Sequence, residues 1–556
     1  MRKAAFAAWT PFCAALMAPA AALGQAPDTS CIVQLRSADF VGPAAELARL
    51  IDLQDTTSGT SFVLRRPGRV YTGDACSAPG SVSALALHLG TDAARDGVRL
   101  LPAELLLVGH SAYPRDWNNG ALWAGRGVNA VMNAGVELRW WRLSAAIAPT
   151  IMWQSNAEFD LQVSPDTSRS GFAHRWWGSL IDAPQRFGAE SFGTIDAGQS
   201  YLRLDIAWFA AGMSNENIVW GPARRNPLLL SGTAPGFVHA FLETGRPVDI
   251  WIGDLDFQFF WGRLDESNYF DNVPENDRRV LAGVLVALQP RILEGLAIGG
   301  GRTQSFTWWP GLSLSEVLLR PYRGLSENPQ GLDGGDNQLI TMFFRWKSAA
   351  AGFEVYGEWA REDHWGTWTE LLRNLDSSQA WGLGLQKLIR RGDNALRLSA
   401  EVTHLADALP SRNAGRGGPI GFYTNTSVLQ GHTHRGQMLG APIGPGAEAL
   451  YIGGDYFWRG GRTSLSVERA RYDDDTYLVQ FASTFRAGAR DAELSVRAGH
   501  LATLGSVSLD TELGWSMRDN RSFLGLDTID PGDPYRRDHN LSARLGVRWT
   551  PPGSGR

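Results

Sequence analysis

From about residue 104 onward the chain alternates apolar and polar positions over runs of 8 to 12 residues. In Leu541, Ala543, Leu545, Val547 and Trp549 every odd position is apolar, while Ser542, Arg544, Gly546 and Arg548 fill the positions between. A β-strand places two such sets on opposite faces. The same pattern sets Leu202, Leu204, Ile206 and Trp208 against Tyr201, Arg203 and Asp205, and Leu396, Leu398, Ala400 and Val402 against Arg397, Ser399, Glu401 and Thr403. It recurs at Val507, Leu509, Leu513 and Trp515, and at Phe353, Val355 and Trp359 opposite Glu354 and Glu358. The charged faces require water, and the apolar faces are too numerous for one small core. Roughly 16 to 18 such segments occur, a number at which a barrel encloses an aqueous lumen.

The connections point the same way. Ser348–Gly352, Arg390–Asn394 and Gly460–Gly461 are tight turns, whereas Thr303–Asn337, Arg361–Gln379 and Thr403–Ala447 are long and rich in Gly, Pro, Asn or Trp. Outer-membrane barrels have short turns at one end and long loops at the other. A large water-soluble sandwich or propeller is the competing home for such alternation, but no fixed-period repeat favours a propeller. The fold class expected is therefore all-β, a transmembrane antiparallel barrel over 104–549 followed by a tail at 550–556.

The N-terminus reads differently. Arg2 and Lys3 precede an Ala-rich apolar stretch to Leu23, which predicts a secretory signal over 1–24. Cys13 leaves with it, so Cys31 and Cys76 remain as the only pair in an exported chain and are expected to form a disulfide. Residues 25–103 have helical spacing at Pro43–Ile51 and an equivocal apolar run at Ala84–Leu89, and are expected to form a small, partly helical periplasmic region ahead of the barrel.

Composition narrows the function. Across 556 residues the net charge is −5, or about −7 once Arg2 and Lys3 are removed, so there is no basic excess for nucleic acid. Mean hydropathy is −0.18, and no apolar run of helix-spanning length follows the N-terminus. Trp is abundant at 22, and Trp140–Trp141, Trp176–Trp177, Trp308–Trp309, Trp458 and Trp549 suit interfacial girdles. After the signal, Lys347 and Lys387 are the only lysines.

Between Trp176 and Leu264 plain strand-and-turn patterning gives way to motifs. The chain reads Gly212-Met213-Ser214-Asn215-Glu216-Asn217-Ile218-Val219-Trp220-Gly221-Pro222, then Asn226-Pro227-Leu228-Leu229-Leu230-Ser231, then Ala234-Pro235-Gly236-Phe237-Val238-His239. This resembles the capsule assembly proteins of the Wzi family. Asn118–Trp123, Gly125-Arg126-Gly127 and His434–Gly440 are similar to further family segments. The resemblance implies an 18-stranded outer-membrane barrel with a periplasmic helical element, a lectin-like and non-catalytic anchor for capsular or other surface polysaccharide. Its other implied partners are outer-membrane lipids and, during biogenesis, the barrel-assembly machinery; no cofactor or metal is implied.

Residue chemistry in the motif allows two readings. Asn215, Glu216, Asn217, Trp220 and His239 offer hydrogen bonds and stacking to sugars, and Arg224 and Arg225 offer forks for acidic-glycan carboxylates. Alternatively the segment is a structural plug, its Gly and Pro residues fixing an irregular path and Glu216 pairing with a luminal Arg. A porin-like channel for small polar solutes is the alternative function. His432-Thr433-His434 reads as a loop or luminal element rather than a metal site, and Asp473-Asp474-Asp475 as a solvated loop tip. Glu354 and Glu358 lie about 13 Å apart along a strand, too far for a glycosidase pair.

Overall fold

The computed structural model describes residues 32–36, 43–54, 63–65, 70–74, 78–89, 96–115, 118–164, 169–308, 311–319, 335–362, 369, 378–406, 421–482, 489–524 and 536–551. Cys31, Cys76, Trp309 and the expected signal lie outside them.

Among the described residues, twenty-three strand segments form one antiparallel sheet. Five breaks interrupt a strand that continues in the same direction: Gly97–Leu100 runs on into Ala103–His110, Gly127–Asn133 into Val136–Trp140, Leu143–Ile147 into Thr150–Gln154, Phe192–Asp196 into Tyr201–Ile206, and His239–Thr244 into Val248–Ile250. Counted across these breaks, the strands number 18, as the resemblance implies. Arg537–Trp549 pairs with Ala103–His110, so the last strand lies against the first. The tight turns join Asp336–Ser348 to Phe353–Glu362, Gln379–Arg391 to Asn394–His404, and Glu448–Trp458 to Gly461–Tyr472.

The alternation sorts onto the two faces as the sequence requires. Leu398, Ile452, Leu513 and Leu541 are exposed on the outside, while their strand neighbours Arg397, Glu401, Asp455 and Ser516 are buried on the inside. Such an apolar belt is a liability in water and is solvated by hydrocarbon. No helix among the described residues is long and apolar enough to cross a membrane; the strands do so. Trp140, Trp141 and Trp549 are exposed as a girdle needs, but Trp177 is buried, and Trp176 packs edge-on against Phe481 at 5.3 Å. That pair belongs to the interior because its segment turns inward from the wall.

The N-terminal region also differs from expectation. The sheet already begins at Gly97, which pairs with Arg139. Pro43–Gln54 and Gly80–Leu89 are helices packed into the tight-turn end of the barrel, not a separate domain: Leu47, Leu50, Ile51, Val82, Leu85 and Leu89 form one core with the wall residues Leu388, Ala395, Phe457 and Leu501. The i, i+3, i+4 spacing of Leu47, Leu50 and Ile51 builds the buried stripe. Charge completes the docking. Arg49 Nε donates to Glu354 at 2.8 Å, Arg345 Nη2 reaches both Glu354 (2.9 Å) and Asp52 (2.7 Å), and Lys347 Nζ reaches Asp52 at 2.8 Å. The turn Arg391–Asn394 joins in, its Asp393 carbonyl accepting from Ser81 N–H at 2.8 Å.

Removing Glu354 leaves two buried guanidiniums without their shared carboxylate. Glu354→Ala is expected to cost about 3–5 kcal/mol and to free the helix at Pro43–Gln54, measured as loss of thermal stability and new protease cleavage near that helix.

Candidate functional site

The strand Phe209–Ser214 ends where the motif begins, and the chain leaves the wall to run through the interior until His239–Thr244 rejoins it. From Ser214 to Phe237 nearly every residue is buried. An irregular backbone there must find internal partners, and two wall carboxylates supply them. Glu358 accepts from Ala223 N–H at 2.8 Å and Leu228 N–H at 3.0 Å. Glu401 accepts from the N–H groups of Arg224 (2.9 Å), Arg225 (3.0 Å) and Asn226 (3.0 Å), and from Tyr356 OH at 2.7 Å. Consecutive N–H groups converging on one anion form a backbone nest. Gly221 sits at φ +94°, and a Cβ there would meet Glu358 Oε1 at 2.0 Å; only glycine lets the carboxylate approach.

The other motif segments converge on this one. Asn118 Nδ2 donates to Arg225 O at 3.0 Å and Gly120 N–H to Gly232 O at 2.7 Å. Tyr423 OH donates to Leu228 O at 2.5 Å, His432 Nε2 to Leu229 O at 2.6 Å, and Ser231 N–H to Leu439 O at 2.7 Å. Burial pushes the His432 imidazole down to about 4, so it stays a neutral hydrogen-bond donor. Among the described residues no group of three or more His, Cys, Asp or Glu is placed to hold a metal ion. Asp474 and Asp475 are buried rather than solvated, and burial pushes Asp473 up to about 8.

The seven candidate residues divide. Glu216 is fully buried with Arg65 at 3.9 Å. Asn215 Nδ2 donates to Asp196 Oδ1 and Gly198 O, both at 3.1 Å, Trp220 Nε1 to Gln258 Oε1 at 2.7 Å, and His239 Nδ1 bonds Phe237 O at 2.8 Å. These four build the interior. Arg224 and Arg225 instead line a cavity, and Asn217 does both, lining a cavity while its Nδ2 donates to Ala234 O at 2.8 Å and its Oδ1 accepts from Gln199 Nε2 at 2.9 Å. A chamber of about 290 Å³ lies between the turn at 221–227, the helix at Pro43–Gln54 and the wall, and Arg224 and Arg225 face it. A second chamber of about 200 Å³ is lined by Asn217 and shares Asn118, Gly232 and Arg544 with the first. Arg224 pairs with Glu46, as does Arg397; Arg225 reaches Glu468 at 3.3 Å and lies over the Tyr451 ring at 4.7 Å. Burial by itself raises the Glu46 carboxyl, but Arg224 and Arg397 outweigh it and hold the group well below the carboxylate range.

Sequence reasoning did not single out Glu401, Arg397, Tyr451, Arg462, Arg497 or Arg544, and it weighed Glu358 only as half of a glycosidase pair. Their signal was their inward register. Near the long-connection end a further cleft of about 490 Å³ is lined by Tyr113, Arg126, Glu158, Phe159, Asp160 and Arg536 among others.

The profile of the family described as capsule assembly protein Wzi matches residues 101–521. Among solved structures, Wzi of Escherichia coli, an outer-membrane protein involved in group 1 capsule assembly and described as a carbohydrate-binding β-barrel, has a TM-score of 0.55 at 14% identity, covering 85% of this chain and 90% of that one. Acinetobacter baumannii OccAB3 gives 0.39 at 10% identity over 81% and 98%, and Pseudomonas aeruginosa OprD 0.35 at 9% over 81% and 92%. No curated protein matches the chain.

Two outcomes follow from the geometry. Glu401→Ala takes the acceptor from three N–H groups, that of Asn226 buried and those of Arg224 and Arg225 half-buried, at up to about 1–3 kcal/mol each, and is expected to loosen the inward segment, read as a rise in single-channel conductance and cleavage within 221–228. A depressed Glu46 carboxyl contributes its stability fully above its ordinary value of 4.5 and loses it as pH falls toward the folded value. Helix docking, followed by protease protection, is therefore expected to weaken on acidification below about pH 4, with a shallower slope there in Glu46→Gln.

Proposed function

Because the chain belongs to the capsule assembly protein Wzi family, we propose that it is an outer-membrane β-barrel that binds capsular or related surface polysaccharide and anchors it to the cell without cleaving it. The tight turns and the N-terminal helices face the periplasm in this reading, the long connections face outward, and Cys31 pairs with Cys76 after the signal over 1–24 is removed. Lipids surround the apolar belt, and the barrel-assembly machinery inserts it.

The observation that carries this reading is the buried path of 214–237, pinned to Glu358 and Glu401. An interior held by wall carboxylates is a scaffold that retains a ligand, and it disfavours an open porin. Of the seven candidates, Asn217, Arg224 and Arg225 contact glycan, while Asn215, Glu216, Trp220 and His239 hold the segment in place. The outward cleft beside Arg126 and Phe159 adds an aromatic face and a guanidinium of the kind sugars use.

The test is binding of polysaccharide extracted from the source organism to detergent-purified protein. Saturable binding of uncleaved polymer is expected, and deletion of the gene is expected to release polymer into the medium. Polymer that neither binds the protein nor detaches on deletion refutes the proposal. Bilayer conductance of the intact protein is expected to be small; conductance of porin size would move the function to solute passage.

A further inference from the structure

The chamber under the turn at 221–227 has an unusual charge balance. Among the described residues, seven guanidiniums line it against three carboxylates, Glu46, Asp455 and Glu512. Most of the guanidiniums are matched by acids in or behind the wall: Arg224 and Arg397 by Glu46, Arg397 also by Asp455 at 2.8 Å, and Arg225 and Arg497 by Glu468 at 3.3 and 2.8 Å. Two are matched only loosely. Arg544, which lines both chambers, makes no hydrogen bond and no ion pair within 4 Å with any described residue, although Asp510 lies near enough to interact with it and Glu512 stands opposite it across the strands. Among the described residues Arg462 has no hydrogen-bond acceptor for its buried Nε, and it makes only long ion pairs, with Asp455 at 3.8 Å and Asp510 at 3.9 Å. The Arg225 side chain is 24% exposed.

The rest of the lining has the composition of a sugar subsite. Tyr451 presents a ring, and Ser464 and Ser466 present hydroxyls from the strand that also carries Arg462. The volume of about 290 Å³ lies at the small end of ligand pockets, room for about one sugar unit.

We propose that this chamber binds a hexuronate unit, its carboxylate held by Arg544 and Arg462 and its ring beside Tyr451, with the serine hydroxyls taking ring hydroxyls. Guanidinium forks suit a carboxylate, and charge-assisted hydrogen bonds are the strong ones. A neutral hexose keeps the ring and loses the anion, so it binds weakly. This inference rests on the polysaccharide-binding reading and names the acidic class of sugar within it.

Calorimetric titration of the full detergent-purified chain with D-galacturonate, D-galactose and acetate tests it. Saturable binding of galacturonate is expected, with galactose and acetate each at least about tenfold weaker. Arg544→Gln is expected to weaken galacturonate about tenfold. Glu512→Gln removes a lining carboxylate and is expected to tighten it, a change of opposite sign that a folding defect does not produce. Galactose or acetate binding as tightly as galacturonate, or unchanged affinity in both variants, overturns the proposal. The same preparations are assayed with the extracted polysaccharide. Polymer binding without galacturonate binding sinks the uronate site and leaves the anchoring function standing, whereas galacturonate binding without polymer binding does the reverse.

Discussion

Acceptance of backbone N–H groups by carboxylates in the barrel wall is the interaction on which the rest of this interior depends. A barrel of 18 strands encloses a lumen too wide for side chains alone to fill. Irregular chain inside it must satisfy each buried N–H and C=O group. Glu358 and Glu401 take five N–H groups from Ala223 to Leu228. Once that turn is held, Leu228, Leu229 and Ser231 are presented to Tyr423, His432 and Leu439, and the second inward segment packs against the first.

The same economy of charge explains the abundance of arginine. Inward strand positions place acids and guanidiniums within one low-dielectric space, where an isolated charge costs several kcal/mol. Shared carboxylates solve this: Glu354 serves Arg49 and Arg345, and Glu468 serves Arg115, Arg225 and Arg497. A guanidinium stays charged and bonds in several directions, which suits it to such sharing better than an ammonium. Lys347 is the exception that fits, because its partner Asp52 comes from one side at the tight-turn end. The chamber beside Arg544 is where the pairing is loosest, and guanidiniums outnumber carboxylates among its described lining residues.

The N-terminal helices close this logic at the tight-turn end. Their apolar stripe covers Leu388, Ala395, Phe457 and Leu501, while Glu46, Arg49 and Asp52 interleave with wall charges. The helix at Pro43–Gln54 therefore supports the chamber from below, and the turn at 221–227 covers it from above.

What the sequence determined by itself was local. Alternation of period two made strands of Leu396–Thr403, Val507–Trp515 and Leu541–Trp549 and sent their apolar sides outward, because a strand has no other way to separate its two faces. Turn residues such as Gly392 and Gly460 marked the tight end, and the motif block announced that the chain there was no ordinary strand. Helical spacing at Pro43–Ile51 was legible too, but not that the helix enters the barrel, since its charged partners lie about 300 residues away in sequence. The site divided along the same line. Asn217, Arg224 and Arg225 were visible as chemistry, yet only the tertiary structure decided that they face a chamber while Glu216, Trp220 and His239 do not. Glu401 and Arg544 looked like any inward residues of an alternating strand. Their roles depend on which distant backbone or empty space lies opposite, and strand periodicity sets direction without setting what is met there.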